Sequence, residues 1–187
     1  MNTRTYRPLI DACALQVGLP PWGDLRPGEW LEGLILQESG GNPKARRYEP
    51  HQDRAGRPDA PSDGDQPGID DGQLEDDASY GLMQVMGSNV RRLCGVVPGS
   101  PMRFGFMFMP ITNLAFGLRV LSSELVATQG NVVRALCRYN GGPSGDALVP
   151  DGRGALVFRR QEYADGVVLH ARAAREDRLR AGQKGVA

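Results

Sequence analysis

The chain has 187 residues, and its 22 lysines and arginines balance 22 aspartates and glutamates, so the formal net charge is zero. That length suits one domain able to bury a real core. The neutral balance gives no attraction for nucleic acid, no apolar run approaches the roughly 20 residues of a membrane span, and three cysteines cannot form a complete disulfide framework.

In chain order, Leu9, Ile10, Cys13, Ala14 and Val17 form a helical stripe over Tyr6 to Val17, ended by Gly18-Leu-Pro-Pro21. The same stretch is the nearest approach to a signal-peptide core. Asp11 and Gln16 interrupt it and no small-residue cleavage site follows, so synthesis in a reducing cytoplasm without a leader is expected. Cys13 and Cys137 sit in apolar helical patterns and read as buried small hydrophobes. After a loop through Asp24 and Pro27, Trp30, Leu31, Leu34, Ile35 and Leu36 predict a second helix, which Gly40 and Gly41 end and Pro43 cannot continue. Tyr48-Glu49-Pro50 suits a turn. From His51 to Asp77 nine acidic residues stand against Arg54 and Arg57, which leaves net +7 on the rest of a neutral chain. This Asp-, Gly- and Pro-rich stretch reads as a long acidic loop. The mildly basic remainder suits a polyanionic partner as well as it suits plain solubility.

Ordered pattern returns at Ala78–Met86, followed by a short helix over Asn89–Cys94 and a loop over Gly95–Pro101. Met102–Met109, rich in Met and Phe, reads as an irregular turn packed on the body. Pro110 suits the first turn of a helix reaching about Thr128, with Leu114, Leu118, Leu121 and Leu125 on one stripe. Gly130-Asn131 breaks it, Val132–Arg138 forms the next helix, and Gly141-Gly-Pro143 stops that one. A loop reaches Gly154. From Phe158 to Arg180 a last helix is amphipathic at first, then charged and Ala-rich, with a fraying C-terminal end. With no run of alternating strands, the fold class is mainly α.

One carboxylate stands out. Glu38 falls in the last turn of the apolar second helix, where low dielectric and the negative end of the helix dipole both disfavour its charged form. A carboxyl kept protonated near neutral pH is what a general acid requires. A solvated Glu at a helix end has the same local sequence, so the rest of the chain must decide.

Four pieces follow one another: Glu38-Ser39 with Asn42-Pro43, Gly81-Leu-Met-Gln84, Tyr139-Asn-Gly-Gly142, and Tyr163-Ala-Asp-Gly-Val167. Pro110-Ile-Thr-Asn113 and Gly117 support them. In this order and spacing the chain resembles the lytic transglycosylases of the lysozyme superfamily, the group allied to goose-type lysozyme, over roughly Trp30 to Val168. The resemblance implies a lysozyme-like helical fold with a substrate cleft between two lobes. It implies cleavage of the β-1,4 bond between N-acetylmuramic acid and N-acetylglucosamine in peptidoglycan. Glu38 would protonate the leaving oxygen and then, as carboxylate, take the proton from the muramoyl C6 hydroxyl that closes a 1,6-anhydro ring. One residue serves twice, unlike the two-carboxylate scheme of most glycosidases.

The other motif residues have readable roles within that resemblance. Ser39 orients Glu38 or simply caps the helix. Gly81 lets backbone approach the sugar, Met83 offers a soft apolar surface to a pyranose face, and Gln84 offers donor and acceptor to N-acetyl or hydroxyl groups. Tyr139 and Tyr163 place phenol hydroxyls where the family bonds the catalytic carboxyl and substrate, although Tyr163 also fits simple core packing. Asn140 and Gly141 complete the sugar-binding set.

Departures matter too. The gap from Asn42 to Tyr80 is longer than usual, and with Arg47-Tyr-Glu-Pro50 at its start it looks like the branch found in bacteriophage lysis and virion proteins. Arg138 replaces a small apolar residue before Tyr139 and is expected to face the cleft or solvent. Asp63-x-Asp65 with Gly68 begins like a calcium loop, but Pro67 and Leu74 fall where ligands belong. No metal or cofactor is expected, and no Cys/His spacing suggests zinc.

The resulting expectation is a single domain over 1–187, with its core at about 27–170, an acidic loop insertion at 51–77 and a charged C-terminal tail at 171–187. Its partner is the peptidoglycan glycan strand, met as a monomer in the periplasm or cell wall, with virion or secretion-apparatus proteins as further partners and with no nucleic acid or membrane span. Two rivals carry different chemistry. One is a muramidase on the same fold, with Glu49, Glu75, Asp76 or Asp77 holding a water. The other is a wall-binding or structural module without turnover.

Overall fold

The computed structural model of the chain describes residues 3–48, 78–97, 100 and 102–184. These are mainly helical, as expected. The helices are α1 (Arg7–Gln16), α2 (Pro27–Ser39), α3 (Gly87–Cys94), α4 (Pro110–Ala127), α5 (Val132–Gly141) and α6 (Gln161–Lys184). Five short strands accompany them: β1 (Arg46–Tyr48), β2 (Ala78–Tyr80), β3 (Val85–Met86), β4 (Leu148–Pro150) and β5 (Leu156–Phe158). The first three form an antiparallel sheet in chain order and the last two a hairpin. The described chain divides into two compact units, one formed by Glu38–Gly117 and the other by Thr3–Gln37 with the chain from Leu118 onward.

In the first unit Tyr80 anchors the core. Its ring stacks on Phe104 at 5.3 Å and meets the edge of Phe108 at 5.9 Å, geometries that aromatic quadrupoles favour. Register pairs Arg46 with Tyr80 and Tyr80 with Val85, so β2 is the central strand and is buried throughout. Leu82, Met83, Val90, Met107 and Leu114 complete this core. The Met-rich stretch resolves into a 3-10 turn over Gly105–Phe108 that buries Met107, in keeping with an irregular segment packed on the body.

The second unit packs α1, the body of α2, the rest of α4, α5 and α6. Leu118, Leu121 and Leu125 of the expected α4 stripe are buried, as Leu114 is in the first unit. In α1 only Ile10, Cys13 and Ala14 are buried; Val17 lies past the helix end and is exposed. A close helix contact lies at Gly33, where an added Cβ would lie 2.5 Å from Val167 O and 2.7 Å from Ala171 N. Those are backbone atoms that cannot swing aside. Gly33→Ala is therefore expected to lower stability by about 1–3 kcal/mol, the usual cost of overpacking, read as a shift of the chemical denaturation midpoint.

Ion pairs tie the helices of this unit at their polar edges. Glu32 of α2 is fully buried and accepts from Arg7 Nε at 3.0 Å, from Arg178 Nε at 2.7 Å and from the Thr3 hydroxyl. Arg178 also pairs with Asp11 at 2.8 Å, and Arg7 with Asp177 at 2.8 Å. Asp177 meets Arg4 as well. Hydrogen bonds from Arg4 and Arg7 hold the Asp177 carboxyl well below the usual range, against the opposing effect of desolvation.

These contacts anchor the charged segment from residue 171. The segment is helix through Lys184, with Ala171 and Ala174 in the core, and Asp177 and Arg178 have partners on α1 and α2. The strands went unforeseen. Segments of two or three residues carry too little alternation to register as a period. Cys13 and Cys137 are buried and Cys94 exposed, all as free thiols; burial, with the nearby Asp146 and Asp165 charges, pushes the Cys137 thiol up to about 11. Glu49, Pro50 and the acidic stretch 51–77 lie outside the described residues.

Candidate functional site

α2 starts with Pro27, whose missing N–H is no loss in a first turn. It ends where Gly40 and Gly41 take φ of 61° and 78°, conformations that side chains disfavour. Glu38 is thus placed in the final turn, half-buried, as the sequence predicts. Ser39 is more than a local cap. Its hydroxyl donates to Leu82 O at 2.8 Å and accepts from Gly41 N at 3.2 Å, so the Glu38-Ser39 motif and the Gly-Leu-Met-Gln motif meet directly. Asn42 accepts from Lys44 N at 3.0 Å and turns the chain toward β1.

The Gly81–Gln84 turn is held by packing and hydrogen bonds within its own unit. Gly81 has φ of 71°, and a Cβ there would sit 2.6 Å from Met107 O, so the glycine answers to packing within the unit. Met83 is fully buried with Gly117 beside it, where an added Cβ would come 2.8 Å from Met83 Cβ. Gln84, at φ of 46°, is nearly buried, and its amide is engaged: Nε2 donates to Gly81 O at 2.9 Å and Ala45 O at 3.2 Å, and Oε1 accepts from Ser79 Oγ at 2.9 Å. In this arrangement Met83 and Gln84 brace the turn. Asn113, seen in the sequence only as a supporting match, is wholly buried and bonds both sides of the turn, through Nδ2 to Tyr80 O at 2.7 Å and through Oδ1 from Met83 N at 2.8 Å.

The second unit carries the remaining motif residues. Asn131 caps α5 by accepting from Arg134 N at 3.1 Å, and the helix runs further than expected, through Gly141. Tyr139 is half-buried in its last turn and Asn140 exposed. Gly141 lies against Arg160, since an added Cβ would come 2.8 Å from Arg160 Cγ. Tyr163 N donates to Arg160 O at 3.1 Å as α6 begins, and the Tyr163 side chain is half-buried. The Tyr-Asn-Gly-Gly motif and Tyr163 are therefore brought together across Arg160.

Arg138 is half-buried and paired: Nε donates to Glu124 at 2.6 Å and one terminal nitrogen to Pro143 O at 2.9 Å, with Asp146 at 3.6 Å. The arginine replaces a small apolar residue there because α4 and the following loop supply its acceptors. Among the described residues no group of acidic, His or Cys side chains could hold a metal ion; Asp63 and Asp65 lie outside them. No described helix is long and apolar enough to cross a membrane.

Residues 27–148 match the family model described as Transglycosylase SLT domain. The matched span exceeds half of the chain and takes in Glu38-Ser39, the Gly81–Gln84 turn, Asn113 and Tyr139–Gly142; Tyr163 falls beyond it. No curated protein and no solved structure matches.

Proposed function

The chain belongs to the Transglycosylase SLT domain family, a peptidoglycan lytic transglycosylase acting at the cell wall or periplasm, and we propose that Glu38 is its single general acid and base. The observation that carries the assignment is the placement of Glu38: a half-buried carboxyl in the last turn of α2, beside a serine anchored on the Gly81–Gln84 turn.

In the proposed reaction Glu38 donates its proton to the glycosidic oxygen of a bond between N-acetylmuramic acid and N-acetylglucosamine. The C–O bond to the leaving sugar breaks as positive charge develops at C1. Glu38, now carboxylate, takes the proton of the muramoyl C6 hydroxyl, whose oxygen bonds to C1 and closes the 1,6-anhydro ring. The carboxyl starts and ends protonated, and no water is consumed. Tyr139 and Tyr163 support the carboxyl and substrate, Asn140 binds the sugar, and the Gly81, Met83 and Gln84 turn serves the substrate through the backbone it shapes.

The setting we infer is phage lysis or a virion. What supports it is the long separation of the first two motifs, with Arg47-Tyr-Glu-Pro50 at its start.

Mass spectrometry of muropeptides released from purified peptidoglycan tests the chemistry. Products ending in 1,6-anhydromuramic acid, lighter by one water than reducing ends, are expected. Reducing ends would mean hydrolysis and redirect attention to Glu49, Glu75, Asp76 and Asp77. Folded protein that binds walls but releases nothing would favour the non-catalytic module.

A further inference from the structure

We propose that Asn113 is a positioning residue for Glu38, acting through the Leu82 carbonyl and the Ser39 hydroxyl. The inference rests on the reading of Glu38 as the general acid and base.

Asn113 is fully buried in the first turn of α4, where an amide carries a desolvation cost unless both its ends are bonded. Both ends are. Its Nδ2 donates to Tyr80 O at 2.7 Å and its Oδ1 accepts from Met83 N at 2.8 Å. Those two backbone groups flank Gly81-Leu82, so one rigid side chain holds the segment at each end and sets the direction of the Leu82 carbonyl. That carbonyl accepts from Ser39 Oγ at 2.8 Å. Ser39 is the last residue of α2. The last carbonyls of a helix lack intrahelical partners, and its final turn frays unless something outside the helix holds it. Here the holder is Leu82 O, and Glu38 projects from the turn that is held. Asn113 fixes the turn, the turn fixes the carbonyl, and the carbonyl fixes the end of α2. A displacement of about 1 Å at a reacting group is enough to lower a rate about 100-fold.

The test is a double-mutant cycle on kcat with purified peptidoglycan, run well below the melting temperature. Asn113→Asp keeps side-chain volume and the acceptor for Met83 N but puts an acceptor opposite Tyr80 O. Ser39→Ala removes the last link and leaves the core intact. Each is expected to lower kcat at least about tenfold with KM unchanged. The double variant is expected to fall no further than the worse single one, because the two act in series. Multiplying losses, or full kcat in folded Asn113→Asp, would overturn the proposal. If Asn113→Asp does not fold, Ser39→Ala decides alone: undiminished kcat overturns it. Glu38→Gln in parallel separates the two failures. An active Glu38→Gln enzyme overturns both readings, whereas an inactive one beside fully active Asn113→Asp and Ser39→Ala overturns only the positioning role.

Discussion

Glu38→Gln is expected to reduce release of muropeptides at least about a thousandfold while leaving the melting temperature within about 2 °C of the parent. The loss is expected to be large because, in the proposed scheme, one carboxyl performs both proton transfers. A glutamine has the same shape, but it can neither protonate the glycosidic oxygen nor accept the C6 hydroxyl proton. With no second carboxylate in the scheme, nothing takes over either step. General acid–base catalysis contributes about 10²–10⁴ in rate for a positioned group, and the proposed scheme uses the same group on both sides of the bond cleavage.

Stability is expected to hold for a separate reason. Glu38 is half-buried at the C-terminal end of α2, where the helix dipole is negative and a carboxylate is disfavoured. Glutamine preserves the volume and places no charge at that end of the helix. The variant should also sediment with purified peptidoglycan as the parent does. Turnover by a folded Glu38→Gln protein would sink the assignment of Glu38. Glu38→Asp refines the point: it keeps the acid but withdraws it by one methylene, and a fall of about 100-fold is expected from misplacement alone.

Much of this was legible in the sequence because it depends on local rules. The Leu114, Leu118, Leu121 and Leu125 spacing gave α4, and the Gly40-Gly41 pair marked where α2 ends with positive φ. The same pair of glycines places Glu38 in the last turn of that helix. Side-chain direction was not legible. Gln84 has the chemistry of a sugar ligand, yet its positive φ and its bonds to Gly81, Ala45 and Ser79 turn the amide inward. Asn113 has an equally polar side chain and proves to be wholly internal, because its partners lie 30 and 33 residues away. Glu32 lies within an apolar run. A charged residue on a helix this buried must be paired, which was the available signal, but Arg7 and Arg178 stand 25 and 146 residues away and no spacing rule connects them.

Glu32→Ala is expected to be the most damaging single change to the fold, lowering stability by about 3–5 kcal/mol, the range for breaking a buried ion pair from one side. The cost comes from the groups left behind. Arg7 and Arg178 have side chains only 14% and 13% exposed, and without Glu32 their guanidinium groups lose a shared acceptor in a region of low dielectric. Arg178 retains Asp11 and Arg7 retains Asp177, which places the expected loss toward the lower end of that range. Replacing the trio together, as Arg7→Met, Glu32→Leu and Arg178→Met, removes the buried charges as a set and takes Arg178 from Asp11 and Arg7 from Asp177, both partly exposed, so it is expected to cost less than Glu32→Ala. Chemical denaturation midpoints for the single and triple variants check this. A triple variant as unstable as Glu32→Ala would mean that the network stabilises the fold in its own right.

Acid adds a second reading of the same helix contacts. The Asp177 carboxyl is depressed in the folded protein, chiefly by its hydrogen bonds to Arg4 and Arg7. It contributes stability above its ordinary pKa of about 4 and loses it as pH falls through the depressed value. An Asp177→Asn variant should therefore be less stable than the parent at pH 6, with the gap closing in strong acid. A gap that did not depend on pH would show that the carboxylate charge is not what ties α6 to α1.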